Sequence, residues 1–171
     1  MRSAHVLAGS LLAAIAPLAS AQSQGDERAA REYAATVTKI AAGFVVFAGS
    51  GDNAVALVES LREGVPVNLT YARNDAEGEL PSVVTIEPPT APMDWNDVRM
   101  ALMLARDAMI GIGISRPTGE QLHAVMLGGE LITPAGKPVS FRGVLQMRAE
   151  GLNWGRIATE RYQRPAVARI E

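Results

Sequence analysis

The sequence predicts an α+β protein: small helical domains carrying two short antiparallel β-hairpins and ending in a helix-turn-helix-like corner. Three observations point there. Apolar residues recur at spacings of three and four over several stretches, as on one face of a helix. Two other stretches alternate apolar and polar residues on either side of a turn-rich segment, as strands of a hairpin do. Most Gly and Pro, 16 and 10 of 171 residues in all, fall between these stretches rather than inside them. A composition of 48% hydrophobic and 20% charged residues supplies a core and is too charged for a membrane bundle. The length suits one compact domain or two very small ones.

Residues 1–21, MRSAHVLAGSLLAAIAPLASA, read as an export leader. Arg2 opens it, Val6–Leu18 is an apolar run, and Ala19-Ser20-Ala21 has the small-x-small form of a signal-peptidase site. The run is shorter than the ~20 residues a spanning helix needs. Cleavage after Ala21 is therefore expected, and with it a periplasmic or secreted location and a mature chain without a transmembrane segment. No Cys follows as a lipid anchor point.

Gln22–Glu27 reads as a polar linker. Arg28–Phe44 follows as a helix, with Ala29, Tyr33, Ala34, Val37, Ile40 and Ala41 on its apolar face. Phe44–Phe47 is either a β-prone run or the apolar end of that helix. Ser50 or Asp52 caps a second helix over Asn53–Glu63, and Gly64 ends it in left-handed conformation. Val65–Ala72 and Ser82–Glu87 form the first hairpin around the acidic turn Asn74–Leu80. Pro88-Pro89-Thr90-Ala91-Pro92 is a stiff extended segment. It divides an N-terminal half, 22–88, from a C-terminal half, 89–164. Whether the halves share one core stays open at this level.

Asp94 or Asn96 caps the most apolar helix of the chain, running to Ile110, which is therefore expected at the centre of the fold. Gly111-Ile112-Gly113 ends it and lacks the third Gly and preceding strand of a dinucleotide-binding loop. Thr118 and Gln121 form a capping box for a short helix with apolar Leu122, Val125 and Met126. The second hairpin joins Leu131–Thr133 to Val139–Phe141 through Pro134–Lys137. Val144–Glu150, Gly151 and Asn153–Tyr162 then read as helix, turn and helix. Residues 165–171 form a flexible tail.

The residue types exclude much chemistry. Without Cys there is no disulfide framework, thiolate metal site or Cys nucleophile. After the leader one His remains, His123, too few for a zinc site and with no G-x-S-x-G elbow to serve as base. No catalytic residue, cofactor or metal site is assigned. An alternative is an envelope hydrolase using carboxylates, with Asp94, Asp97 or Glu87 as candidates. A second, disfavoured alternative is DNA binding by the C-terminal corner. Export, Pro165 where a recognition helix would run, and a net charge of −3 without the leader all oppose it.

Charge is uneven: from Val139 onward six Arg and three Glu give +3, and the rest of the chain after the leader carries −6. Such asymmetry suits an anionic partner. Trp and Arg are the usual interface anchors, and Trp95, Arg148, Trp154 and Arg156 form the candidate interaction surface. The expected function is a non-enzymatic binding or structural module of the periplasm or cell envelope. Its expected partner is a protein or an anionic envelope component, with homo-oligomers allowed and nucleic acid not expected.

The stretch from Pro88 to Ala158 carries PPTAPM, RPTGEQL, GGELITPAGKPVSF and GVLQMRAEGLNWGRIA. It resembles a group of small secreted proteobacterial proteins that end in a similar Met-Arg-Ala-x-Gly-x-x-Trp-Gly-x-Ile-Ala segment. The match covers under half the chain. Those proteins begin the long helix with glycine and tyrosine, where this chain has Met93-Asp94-Trp95-Asn96-Asp97. The resemblance implies export and a small α+β fold, and it brings no activity with it.

Overall fold

A computed structural model describes the backbone of residues 16–72 and 81–160, and side chains from Gln24 onward within those ranges. The expected turn at 74–80 and the tail at 165–171 lie outside them, as does most of the leader. The chain divides into two compact units, Met1–Thr36 and Val37–Glu171.

In the first unit the described residues are helical, part of α1 (Ala16–Ala41). Gln22–Glu27, expected as a linker, belongs to this helix. Gln, Glu and Arg are good helix formers, and the Arg28–Glu32 pair at 2.9 Å adds support one turn apart. Ala29 and Ala34 of the expected apolar face are exposed.

In the second unit, the last turns of α1 bury Val37, Ile40 and Ala41. Phe44–Phe47 is not a strand: a one-turn helix α2 (Val45–Ala48) buries Phe47 and leaves Val45 and Val46 exposed. Helix α3 (Gly51–Glu63) starts at Ser50, whose Oγ accepts from the Asn53 N–H, and ends at Gly64 with φ 69°. Strands β1 (Val67–Tyr71) and β2 (Ser82–Ile86) pair antiparallel, Leu69 opposite Val84.

Helix α4 (Trp95–Gly111) is capped by Asp94, which accepts from the Asp97 N–H at 2.7 Å. It buries seven side chains, Val98 to Met109, and contacts α3, α5, α6 and α7. The expectation of a central helix is met because apolar residues occupy all but a narrow stripe of its surface. Helix α5 (Gly119–Leu127) carries the capping box: Gln121 N–H to Thr118 Oγ1, and Thr118 N–H to Gln121 Oε1. Strands β3 (Gly129–Ile132) and β4 (Pro138–Phe141) form the second hairpin. Helices α6 (Val144–Ala149) and α7 (Trp154–Glu160) close the described chain as the expected helix-turn-helix-like corner.

Elements from both sides of the proline segment pack together: α5 lies against β2, and α3 against α4. Residues before and after Pro88–Pro92 thus share one core, in which Leu57, Leu61, Leu69, Ile86, Leu102, Leu122 and Leu145 are fully buried. Gly143 fixes where α6 begins. Its φ is 82°, and an added Cβ would lie 2.3 Å from the Leu127 carbonyl carbon. Only glycine fits so close to another backbone segment.

Candidate functional site

Two places, the C-terminal corner and a cleft, each bring together an aromatic and an Arg residue suited to an interface, and they differ in what is left over. The first is the corner. Asp97, in the first turn of α4, accepts from Trp154 Nε1 at 2.7 Å and from Arg148 Nη2 at 3.0 Å. Arg148 also donates to the Leu152 carbonyl, and its guanidinium stacks over the Trp154 ring at 4.8 Å. Both oxygens of Asp97 are engaged, one by Trp154 and one by Arg148, so the cluster ties α7 and α6 to α4.

The expected interaction surface is therefore engaged within the chain. Arg148 and Trp154 hold the corner together. Trp95 lies under the Arg62 guanidinium at 5.0 Å, and Arg62 also donates to the Met93 carbonyl. Arg156 is exposed and bonded to Glu160, while Arg142 bridges Glu150 and Glu160, each at 2.7 Å. The C-terminal arginines among the described residues thus balance acids of their own chain, and the positive excess seen in sequence moves to Arg161, Arg164 and Arg169, outside them. The carboxylates proposed for hydrolysis separate too. Asp94 is a helix cap, Asp97 is tied into the corner, and Glu87 lies elsewhere, on a cavity of about 560 Å³ shared with His123, Thr85 and Gln146. Among the described residues no three His, Cys, Asp or Glu side chains are grouped to hold a metal ion.

The second place is a cleft of about 850 Å³ between α2, the first hairpin and the start of α5. It is lined by Val45 and Val46, 39% and 54% exposed, by Tyr71 and Val84, by β2 at Val83, whose side chain alternates to the other face of the hairpin, and by exposed Arg116. Three local features build it. The one-turn helix α2 leaves two valines facing out. The alternation of β1 and β2 puts Tyr71 and Val84 on the face towards α5. Gly119 lets α5 start against both: an added Cβ there would lie 2.5 Å from Val84 Cγ2 and 2.8 Å from the Tyr71 ring. The helix and hairpin approach each other as far as backbone allows.

The Tyr71 hydroxyl is buried and has no hydrogen-bond partner among the described residues. Burial pushes its pKa up to about 12, because the phenolate would lose hydration there. Arg116, exposed beside it, makes no ion pair or hydrogen bond with the described residues. The cleft thus holds a buried donor and an open cation in walls that mix valines with polar Ser82, Thr118 and Glu120, and a binding site combines apolar surface with a few such polar groups.

Sequence reasoning missed two residues here. Tyr71 reads only as a strand residue, since nothing in its spacing says that its hydroxyl ends without a partner. Asn53 reads as an ordinary first-turn residue of α3. In the structure it is 5% exposed, with Nδ2 donating to the carbonyls of Ala48 and Thr70 and Oδ1 accepting from the Thr70 N–H. It clamps β1 to α3 across 17 residues of sequence. Its place four residues before Leu57, in phase with the apolar face of α3, was the available signal.

No helix among the described residues is long and apolar enough to cross a membrane. No protein-family model, curated protein or solved structure matches the chain, so its functional reading rests on the geometry of these sites.

Proposed function

We propose that the chain is exported and that, with residues 1–21 removed, it acts as a non-enzymatic binding module of the periplasm or cell envelope. Its cleft holds an apolar segment of a protein or envelope component. The observation that carries this reading is the pairing, in one cleft, of exposed Val45 and Val46 with a buried Tyr71 hydroxyl that has no partner among the described residues. An unsatisfied buried hydroxyl costs roughly 1–3 kcal/mol. A ligand bringing an acceptor recovers that cost, and burying the valines adds about 25 cal/mol per Å² of apolar surface.

The test is site-specific crosslinking in cells producing the protein. A photoreactive residue at position 46 should give adducts with an envelope component. One at position 110, equally exposed on α4 at 54%, should not. Equal labelling from both positions, or none from 46, overturns the reading. N-terminal sequencing of the periplasmic protein tests export separately: a chain starting at Gln22 is expected, and intact Met1 on cytosolic material rules it out.

A further inference from the structure

The hairpin that walls the cleft has one edge sealed at Thr70 and one open edge. Asn53 bonds both the N–H and the C=O of Thr70, so those groups point away from β2. Thr70 and its partner Val83 are then a pair without mutual hydrogen bonds, in the alternation that antiparallel ladders follow. Val83, and Thr85 two residues on, must therefore aim their own N–H and C=O groups out of the far side of β2. No backbone partner meets them among the described residues. This edge, Ser82-Val83-Val84-Thr85-Ile86, carries none of the charges or prolines that usually blunt an edge strand.

The open edge has a polarity. Its Val83 end gives onto the large cleft with Arg116, and its Thr85 end onto the cavity with Glu87 and His123. Neither Arg116 nor Glu87 is paired within the described residues. An added strand antiparallel to β2 would run from Glu87 towards Arg116. Its amino end would meet the acid and its carboxyl end the base. A parallel strand would place a carboxylate on Glu87 and an ammonium on Arg116.

We propose that the cleft receives the C-terminal end of an extended peptide, added antiparallel to the open edge of β2 with its terminal carboxylate at Arg116. This rests on the binding role given above and names the partner's chemistry. Strand addition supplies the affinity through Val83 and Thr85 backbone, and the last apolar side chain enters the cleft on the Val84 face, towards Val45 and Val46. The Tyr71 hydroxyl is a second donor in the same cleft. Glu120, exposed in the first turn of α5, also lines it and opposes an anion. Selection for the carboxylate falls to Arg116.

Calorimetric titration with a short peptide of alternating Thr and Val ending in Val, as free acid and as C-terminal amide, tests this. The acid should bind about tenfold more tightly than the amide, the size of one charge-assisted hydrogen bond. Arg116→Ala should erase that difference and Glu120→Gln should strengthen binding of the acid. Val83→Pro removes an outward N–H without touching the β1–β2 ladder and should abolish binding of both forms. Where that variant does not fold, slowed amide exchange at Val83 and Thr85 on adding the free acid is the expected sign. Equal binding of acid and amide, binding by Val83→Pro at the original strength, or unchanged exchange overturns the inference. If neither peptide binds while position 46 still crosslinks in cells, the C-terminal inference fails and the binding role stands. If the crosslinks are also absent, both fall.

Discussion

The corner at α6–α7 and the cleft at the first hairpin use the same side-chain types to opposite ends. In the corner Trp154, Arg148 and Asp97 satisfy one another, and the aromatic–Arg pair acts as a clasp. In the cleft Tyr71 and Arg116 have an aromatic ring and a guanidinium in the same neighbourhood, and no acid closes on them. Residue identity marks both places as interface-like. Only the presence or absence of an internal partner separates a structural joint from a surface with unspent interactions. Asp97 makes that difference: it supplies acceptors for both corner residues, whereas the one acid among the residues lining the cleft, Glu120, bonds to neither Tyr71 nor Arg116.

The largest expected effect breaks the clasp. Asp97→Ala leaves the Trp154 N–H and the Arg148 guanidinium without their acceptor, both partly buried. A loss of about 2–3 kcal/mol is expected in urea unfolding, because hydrogen bonds to charged groups are the costly ones to strand. A change under 0.5 kcal/mol would mean that the corner is held by Ile157 and Met147 packing alone. The substitution also separates the clasp from the hydrolase alternative, which requires carboxylate variants to lose turnover at unchanged melting temperature.

Asn53→Ala should come next, at about 2 kcal/mol. It strands the Thr70 N–H and C=O and unseals the β1 edge. Faster amide exchange at Thr70, with α4 amides unchanged, would show the loss confined to the hairpin side. Uniform acceleration would show that the clamp supports the whole core.

The third expected effect depends on pH. Tyr71 has a folded pKa of about 12 against an ordinary 10, so between those values the unfolded chain releases a proton that the folded chain keeps. Stability therefore falls as pH rises from 10 towards 12. Tyr71→Phe should flatten that part of the profile and remove the late phenolate step from an absorbance titration. A profile unchanged by the substitution would place the phenol in water.

The smallest effect is the control. Arg116→Ala should alter stability by less than about 0.5 kcal/mol, as for an exposed side chain without partners. A larger loss would mean that Arg116 is a structural residue like Arg148, and the contrast between the two regions would disappear.

Much of the architecture follows from the chain itself, for local reasons. Ser50, Asp94 and Thr118 cap the helices that begin just after them, because each cap is settled by side chains within three residues. Both hairpins follow from alternation, and the central place of α4 follows from apolar residues around most of its circumference. Local reading failed at Gln22–Glu27, where polar residues that would suit a linker suit a helix as well, and at Phe44–Phe47, where four residues cannot distinguish a strand from one buried turn.

Which residues remain available to a partner was decided by packing alone. Trp95, Arg148, Trp154 and Arg156 carry the right chemistry for a surface, and all four are drawn to groups 4 to 57 residues away in sequence. Val45, Val46, Tyr71, Val83 and Arg116 look ordinary in sequence and become a site when α5 docks on the hairpin at Gly119. The sequence by itself determined secondary structure and caps, because those energies act over a few residues. Availability was set by tertiary structure, because a donor is spent or free according to what the fold brings within about 3 Å of it.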